Sequence, residues 1–382
     1  MGRRTIALFA VAVALVAQAA AARPALQIGR YIVTFKDSVS NPAAVARAHE
    51  LRFGARVTHV YSHALKGYSA SLPAALVASL LRDARVASVV PDGIMRADTT
   101  QTGATWGIDR IDQRALPVNG TYTYTNTGSG VTIYVIDTGI LLTHNEFGGR
   151  ASYGVDEVSG TGSGGDCNGH GTHVSGTAAG ATYGVAKQAQ LVAVRVLGCN
   201  GSGPTSGVIA GVDWVTGNHQ AGQPAVANMS LGGSANTALD TAVRNSIADG
   251  VSYAVAAGNG NFLGFAANAC NSSPSRVTQA MTVSATDNTD TKASWANYGN
   301  CVDWFAPGVN ITSAWSTSNT ATNTISGTSM ATPHTTGVAA LYLQTHPSAT
   351  PADVASALQG LTTKGIVKSS RTTNANLLYT NL

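Results

Sequence analysis

Charge is scarce in this chain of 382 residues: Asp, Glu, Lys and Arg together make up 11%. Disordered chains are rich in charge, so this scarcity, with 42 glycines, points to a compact, loop-rich globular protein. The length is enough for two domains or one large one. A basic body is also missing. Residues 1–98 carry 12 Lys and Arg against 5 Asp and Glu, whereas residues 99–382 carry 11 against 14. A basic leader therefore precedes a mildly acidic body, which leaves no footing for nucleic-acid binding, since that needs a basic face. Long apolar runs are absent beyond the start, where Arg3-Arg4 leads into apolar residues to Ala17 and small residues to Ala22. That run is too short to span a bilayer and reads as a secretory signal over residues 1–22. The mature protein is expected to be exported and soluble, without a membrane contact. Cysteine is rare, but the count of four suits an oxidising compartment; three pairings are open.

From Tyr31 the pattern runs strand (Tyr31 to Phe35), helix (Pro42 to Phe53), two strands (Val57 to Leu72), helix (Ala74 to Arg82) and strand (Val86 to Val90). This βαββαβ order suits a small ferredoxin-like α+β domain. Around Asp98 to Thr105 the composition turns to Thr, Gln and Gly without periodicity, which reads as a linker. Beyond it come short apolar runs, Val131 to Ile136, Leu191 to Val196, Val226 to Met229 and Tyr253 to Ala256, separated by helix-like segments. Such runs signal strands buried on both faces, hence an α/β domain with a doubly wound parallel sheet. Function in such sheets collects at the carboxyl ends of strands, and Asp137 and Asn259 lie just past two of them.

Three stretches carry chemistry: Asp137-Thr138-Gly139 after a strand, Asn168 to Val174 before a helix, and Ser326 to His334, read as a loop entering the helix that includes Gly337 to Leu343. A serine at a helix N-terminus sits where unpaired N–H groups favour developing negative charge. Peptide hydrolysis by serine needs a base for the hydroxyl proton and an anion to hold that base in the right tautomer. Asp137, His170 and Ser329 come in the order of subtilisin, not of chymotrypsin or the α/β-hydrolases. Other readings are weaker. Asp-Thr-Gly also marks aspartic proteases, which need two such carboxylates, and the chain has one copy. His173 follows His170 by three residues, whereas metal helices space their ligands at four, so it reads as structural. Ser329 sits in Gly-x-Ser-x-Ala and not in the lipase elbow.

On these motifs, with Ala225 to Gly233 and Ala256-Ala257-Gly258-Asn259, residues 99–382 closely resemble the subtilisin-like serine proteases, and among them the proteinase K and aqualysin group. The resemblance implies a secreted serine endopeptidase made as a self-processing zymogen: residues 1–22 signal, 23–98 propeptide acting as inhibitor and chaperone, 99–382 protease. It makes Ser329 the nucleophile, His170 the base, Asp137 its orienting anion and Asn259 an oxyanion donor. Gly201-Ser202-Gly203 and Ser230-Leu231-Gly232 match segments that clasp substrate as an added strand, with Ala256 and Gly258 also at the substrate. The partners implied are peptide substrates and the chain's own propeptide, around a monomer. A binding protein that kept the fold and lost catalysis is the rival reading, and the intact triad with Asn259 argues against it.

The same resemblance pairs Cys167 with Cys199 and Cys270 with Cys301, and puts Val174 where proteinase K has a free cysteine. It implies structural calcium held by the carbonyls of Thr278 and Ala280 with Asp303, all oxygen ligands as calcium prefers. Asp109, Asp112 and Gln113 resemble another calcium site, though Asn119 and Thr121 replace stronger ligands downstream. One departure stands out. Between Asn259 and Cys270 the segment Gly260 to Ala267 is longer than in the aqualysin group and adds Phe262, Leu263 and Phe265. Two outcomes are open for this loop: Phe262 and Phe265 wall the pocket for the residue preceding the scissile bond, P1, with a preference for large apolar or aromatic side chains, which is the expectation favoured here, or the loop hangs outward as an exposed apolar tip that touches a substrate or partner.

Overall fold

The computed structural model describes residues 28–93, 99–158, 165–260 and 265–382. The signal stretch 1–22, the processing boundary at Asp98 and Phe262 lie outside the described residues. The chain divides into two compact units, Met1–Arg96 and Ala97–Leu382.

The small unit runs β1 (Ile28–Phe35), α1 (Pro42–Phe53), β2 (Arg56–Tyr61), β3 (Gly67–Pro73), α2 (Val77–Leu80) and β4 (Val86–Pro91). Its strands form an antiparallel sheet in the order β2-β3-β1-β4. Helix α1 starts where Asn41 accepts from Ala44 N, has Pro42 in its first turn and stops at left-handed Gly54, so both boundaries follow from local chemistry. Helix α2 is shorter than the sequence suggests, one turn after a 3-10 segment at Ala74–Leu76. The Asp83 carboxylate accepts from Arg85 N (2.9 Å), an Asx turn that stops the chain from continuing as helix. Val33, Phe35, Tyr68, Leu72 and Leu80 form the core. Buried His49 sits among them, its Nδ1 2.9 Å from Tyr68 Oη and its Nε2 3.2 Å from Asp83 Oδ2.

The large unit begins with β5 (Thr99–Thr102), α3 (Trp106–Ile111) and β6 (Thr121–Tyr124). The expected linker is therefore partly a strand: Thr99–Thr102 pairs antiparallel with β6. β-Branched threonines favour this ribbon, and its exposure hides the alternation that marks a half-buried strand. There follow β7 (Thr132–Asp137), β8 (Ala151–Asp156), α4 (His170–Ala179), β9 (Gln190–Arg195), α5 (Thr205–Asn218), β10 (Ala225–Met229), β11 (Gly233–Ser234), α6 (Thr237–Asp249) and β12 (Ser252–Ala256). The chain ends with β13 (Ser272–Ser273), β14 (Met281–Thr286), β15 (Trp304–Pro307), β16 (Ile311–Ala314), β17 (Thr322–Ile325), α7 (Thr328–Thr345) and α8 (Pro351–Leu361).

Seven parallel strands form the central sheet, in the order β15-β14-β12-β10-β7-β9-β8. Val135 points into the core under α4 and α7, and its neighbour Ile136 into the core under α5 and α6. Both are fully buried, which is why the strand reads as one unbroken apolar run. The chain builds β8 and β9 on one side of β7 and the remaining strands on the other. The sheet's switch point thus lies at β7, and a cleft opens beyond the carboxyl ends there. No helix among the described residues is long and apolar enough to cross a membrane.

Candidate active site

Asp137 is the last residue of β7 and is fully buried. His170 opens α4, and its Nδ1 lies 2.7 Å from Asp137 Oδ1. Asp137 Oδ1 also accepts from Thr138 N (2.8 Å). What fixes the helix end beside it is Asp166, which the motif search passes over. Its Oδ1 accepts from Thr138 Oγ1 (2.9 Å), Asn168 N (3.0 Å) and Gly169 N (2.8 Å), and its Oδ2 from Thr172 N (2.9 Å) and Thr172 Oγ1 (2.7 Å). One buried carboxylate so takes the Gly169 and Thr172 N–H groups at the start of α4, while those of His170 and Gly171 go to Asn168 Oδ1 and Thr138 Oγ1, and the hydroxyl of Thr138 ties the helix end to the end of β7. Burial works against the His170 imidazolium. The Asp137 charge and hydrogen bond, with the Asp166 charge behind them, outweigh it and hold the His170 pKa above the ordinary histidine value. His173, by contrast, is buried with Nε2 3.0 Å from Ile311 O, and burial pushes its pKa down to about 4.

Ser329 is placed by a defect in its own helix. Helix α7 starts at Thr328, earlier than the sequence suggests, so Ser329 lies in its first turn. Four residues on, Pro333 has no N–H to give to Ser329 O. Ser230 Oγ donates to that carbonyl instead (2.8 Å), and Ser329 Oγ donates to Ser230 O (2.9 Å). This reciprocal pair joins the helix to the segment after β10. Ser329 shares a cleft of about 400 Å³ with His170, Gly201 to Gly203 and Ser230 to Gly232. Leu197, Val208 and Leu239 also line it.

A second pocket of about 540 Å³ meets the first at Ser329 and is lined by Leu231 to Ala235 and Ala256 to Gly260. Asn259 faces it with its side chain fixed, because Oδ1 accepts from Thr328 N (2.8 Å) and Thr328 Oγ1 (2.9 Å). A backbone N–H can only donate, so the amide oxygen must turn to Thr328, which leaves Nδ2 as the group for the pocket. Phe265 does not line this pocket and is 69% exposed, which corrects the expectation that it walls the P1 site. The chain leaves the pocket wall at Gly260 and returns at Ala267, both held by Asn297 Oδ1 (3.0 and 2.8 Å), and Phe265 belongs to the segment between them.

Disulfides join Cys167 to Cys199 and Cys270 to Cys301. The first ties the approach to α4 to the loop after β9. Among the described residues no cysteine is free, and no group of three or more His, Cys, Asp or Glu could hold a metal. A site of one carboxylate with backbone carbonyls is a different matter. Asp303 Oδ2 accepts from Thr282 N (2.7 Å), which brings the carboxylate to the turn containing Thr278 and Ala280. Burial pushes its pKa up to about 6. A carboxylate driven toward neutrality beside carbonyl oxygens fits a hard cation, which would restore its charge. The Asp109, Asp112 and Gln113 cluster divides: burial pushes the Asp112 pKa up to about 6 and leaves its Oδ1 without a partner among the described residues, whereas Asp109 is already engaged. Asp109 is taken up by Asn119 N (3.2 Å), Gly120 N (2.7 Å) and the Gln113 side-chain amide, while Thr121 spends its hydroxyl on Asn119 (2.6 Å).

Family models match the chain twice: "Subtilase family" over residues 128–376 and "Peptidase inhibitor I9" over residues 30–98. An extracellular serine proteinase of Thermus sp. (strain Rt41A) is 56% identical over 370 residues, spanning 92% of this chain and 88% of that relative. Alkaline serine exoprotease A of Vibrio alginolyticus is 49% identical over 333 residues, spanning 86% of this chain and 61% of that relative. Among solved structures, a cold-adapted subtilisin-like serine proteinase superimposes with a TM-score of 0.70 at 52% identity, covering 74% of this chain and all of that one.

Proposed function

The chain belongs to the subtilase family and is a serine peptidase, and from that premise we propose that Asp137, His170, Ser329 and Asn259 form its catalytic centre. One observation carries the assignment: the Asp137 and His170 pair, joined at 2.7 Å, shares a cleft with a serine in the first turn of a buried helix. Asp137 holds the proton on His170 Nδ1, which leaves Nε2 as the base. Ser329 Oγ turns from Ser230 O, gives its proton to Nε2 and attacks the substrate carbonyl. The oxyanion accepts from Asn259 Nδ2 and Ser329 N, an interaction whose loss costs roughly a hundred- to a thousand-fold in rate. His170 then protonates the leaving amine, and water releases the acyl group by the same steps in reverse.

Substrate lies as an extra strand between Gly201-Ser202-Gly203 and Ser230-Leu231-Gly232. The second pocket takes the P1 side chain. Its small lining residues, Gly232, Ala256 and Gly258 among them, leave room for a large apolar or aromatic group. Thr278, Ala280 and Asp303 would hold calcium, which on binding supplies charge compensation and cross-links the starts of β14 and β15. Residues 1–22 form the export signal, residues 23–98 the propeptide that inhibits and assists folding, and residues 99–382 the enzyme, which works outside the cell. The inhibitor match over 30–98 and the extracellular Thermus relative support this.

The test is Ser329→Ala expressed in a host that leaves this chain's precursor intact. Under this reading the precursor accumulates uncleaved; maturation at the wild-type rate contradicts it.

A further inference from the structure

Asn259 needs its backbone fixed as firmly as its side chain, and the segment that follows it must be closed where it leaves the pocket wall at Gly260 and where it returns at Ala267. One buried residue meets both demands. Asn297, 2% exposed, donates from its backbone N to Gly258 O (2.9 Å) and from Nδ2 to Ala257 O (2.9 Å). Its Oδ1 accepts from Gly260 N (3.0 Å) and Ala267 N (2.8 Å), on the two stems of the loop. Asn297 O in turn accepts from Ser284 Oγ (2.7 Å) in β14, which anchors the clamp to the central sheet. Backbone groups of Ala257, Gly258 and Gly260 are therefore all bonded to one residue, and Asn259 lies between them. The fit is tight. Gly258 has φ +99°, and a Cβ there would stand 2.5 Å from Asn297 Nδ2, so Gly258 is required both by its conformation and by the closeness of the clamp.

We propose that Asn297 is the positioning residue for Asn259: it closes the base of the Gly260 to Ala267 loop and holds the oxyanion donor in register, whatever the loop's length. The inference rests on Asn259 acting as the oxyanion donor. Thr328 orients the amide, and Asn297 sets where its Cα stands. An amide suits the position because its oxygen has two lone pairs for the two stem N–H groups while its nitrogen still donates. Displacement of a donor by a fraction of an ångström weakens transition-state binding and leaves ground-state binding nearly unchanged.

The experiment is a double-mutant cycle on the mature enzyme, normalised by active-site titration: Asn297→Ala, Asn259→Ala and the pair. Asn297→Ala should lower kcat about ten- to a hundred-fold with KM within about twofold, inside the hundred- to thousand-fold limit set by losing the donor outright. Affinity for a peptide boronic acid should fall in parallel, while affinity for a cleaved product peptide stays put. With Asn259→Ala already present, Asn297→Ala should cost less than about twofold more. Asn297→Asp keeps the shared acceptor but sets a carboxylate oxygen against Ala257 O in place of the donated bond. It should lower kcat with the same coupling to Asn259, and it serves if the alanine variant does not fold. An equal loss in both backgrounds, a loss in KM alone, or no loss overturns the proposal. If Asn259→Ala by itself costs under about tenfold, the oxyanion role of Asn259 fails, and this inference fails with it.

Discussion

The two units solve the problem of a polar interior differently. The small one folds an antiparallel sheet over an apolar core and admits a buried polar knot, in which His49 meets Tyr68 and Asp83, with Arg85 bonded to the same carboxylate. The large one wraps a parallel sheet on both faces and buries far more polar machinery: Asp137, Asp166, His173, His334 and Asn297 all lie inside. It also carries both disulfides. A unit with one core and no covalent tie suits a part that is used and discarded. The unit that keeps a catalytic site in fixed geometry has the central strands of its main sheet covered on both faces and its loops stapled.

Acid should sharpen this contrast most. Burial pushes the pKa of His173 and of His334 down to about 4, so each stays neutral in the fold and gains a proton on unfolding below its ordinary value of 6.5. The unfolded state then binds more protons, and stability present above pH 6.5 is lost as pH falls toward 4. Each group accounts for about 3 kcal/mol of that loss. His170, Asp112 and Asp303, whose values are raised, act in the opposite direction, so the effect is best read on substitutions. His173→Gln should remove about 3 kcal/mol from the acid-dependent loss of the large unit, measured by denaturant unfolding at pH 7 and pH 4.5. In the small unit His49 is lowered too, by burial, but Asp83 offsets part of the shift, and His49→Gln should flatten the profile less. A larger effect at His49 breaks the comparison.

Calcium should divide the units next. The residues proposed to hold it, Thr278, Ala280 and Asp303, all belong to the large unit. A ligand bound only to the folded state, at a hundred to a thousand times its Kd, stabilises by about 3 to 4 kcal/mol. In the Ser329→Ala precursor, EDTA should lower the melting transition of the large unit and leave that of the small unit in place. Asp303→Ala should do the same without EDTA. A shift of both transitions, or of neither, removes calcium from the contrast.

Legibility followed the same division between what repeats along the chain and what meets across it. Strands β7, β9, β10 and β12 were readable because burial on both faces leaves an unbroken apolar run. Strand β14 is buried just as fully, yet reads Met-Thr-Val-Ser-Ala-Thr. Its Thr282 and Ser284 hydroxyls donate to Ser275 O and Asn297 O, so polar residues pack inside and conceal the strand. Strand β5 was hidden for the opposite reason, as a mostly exposed run of Thr and Gln that pairs with the half-buried β6. At the site, the order of Asp137, His170 and Ser329 could be read because each sits in a compact local motif. Asp166 lies only four residues before His170, and a carboxylate just ahead of a helix start was a usable capping signal. Asn297 carried none. Its work is done on backbone groups about 30 to 40 residues earlier, and only the fold brings them together.

The most direct measurement is the rate and place of labelling by a fluorophosphonate, which reacts with an activated serine and needs no peptide substrate. The account predicts a single adduct, located by peptide mass mapping on Ser329. Its rate should rise with pH through a value above 6.5, because His170 must lose its proton to act as base and Asp137 holds that proton more firmly than usual. His170→Ala should slow the labelling by about ten-thousand-fold or more. An adduct on another residue, or labelling of Ser329 at an unchanged rate in His170→Ala, contradicts it.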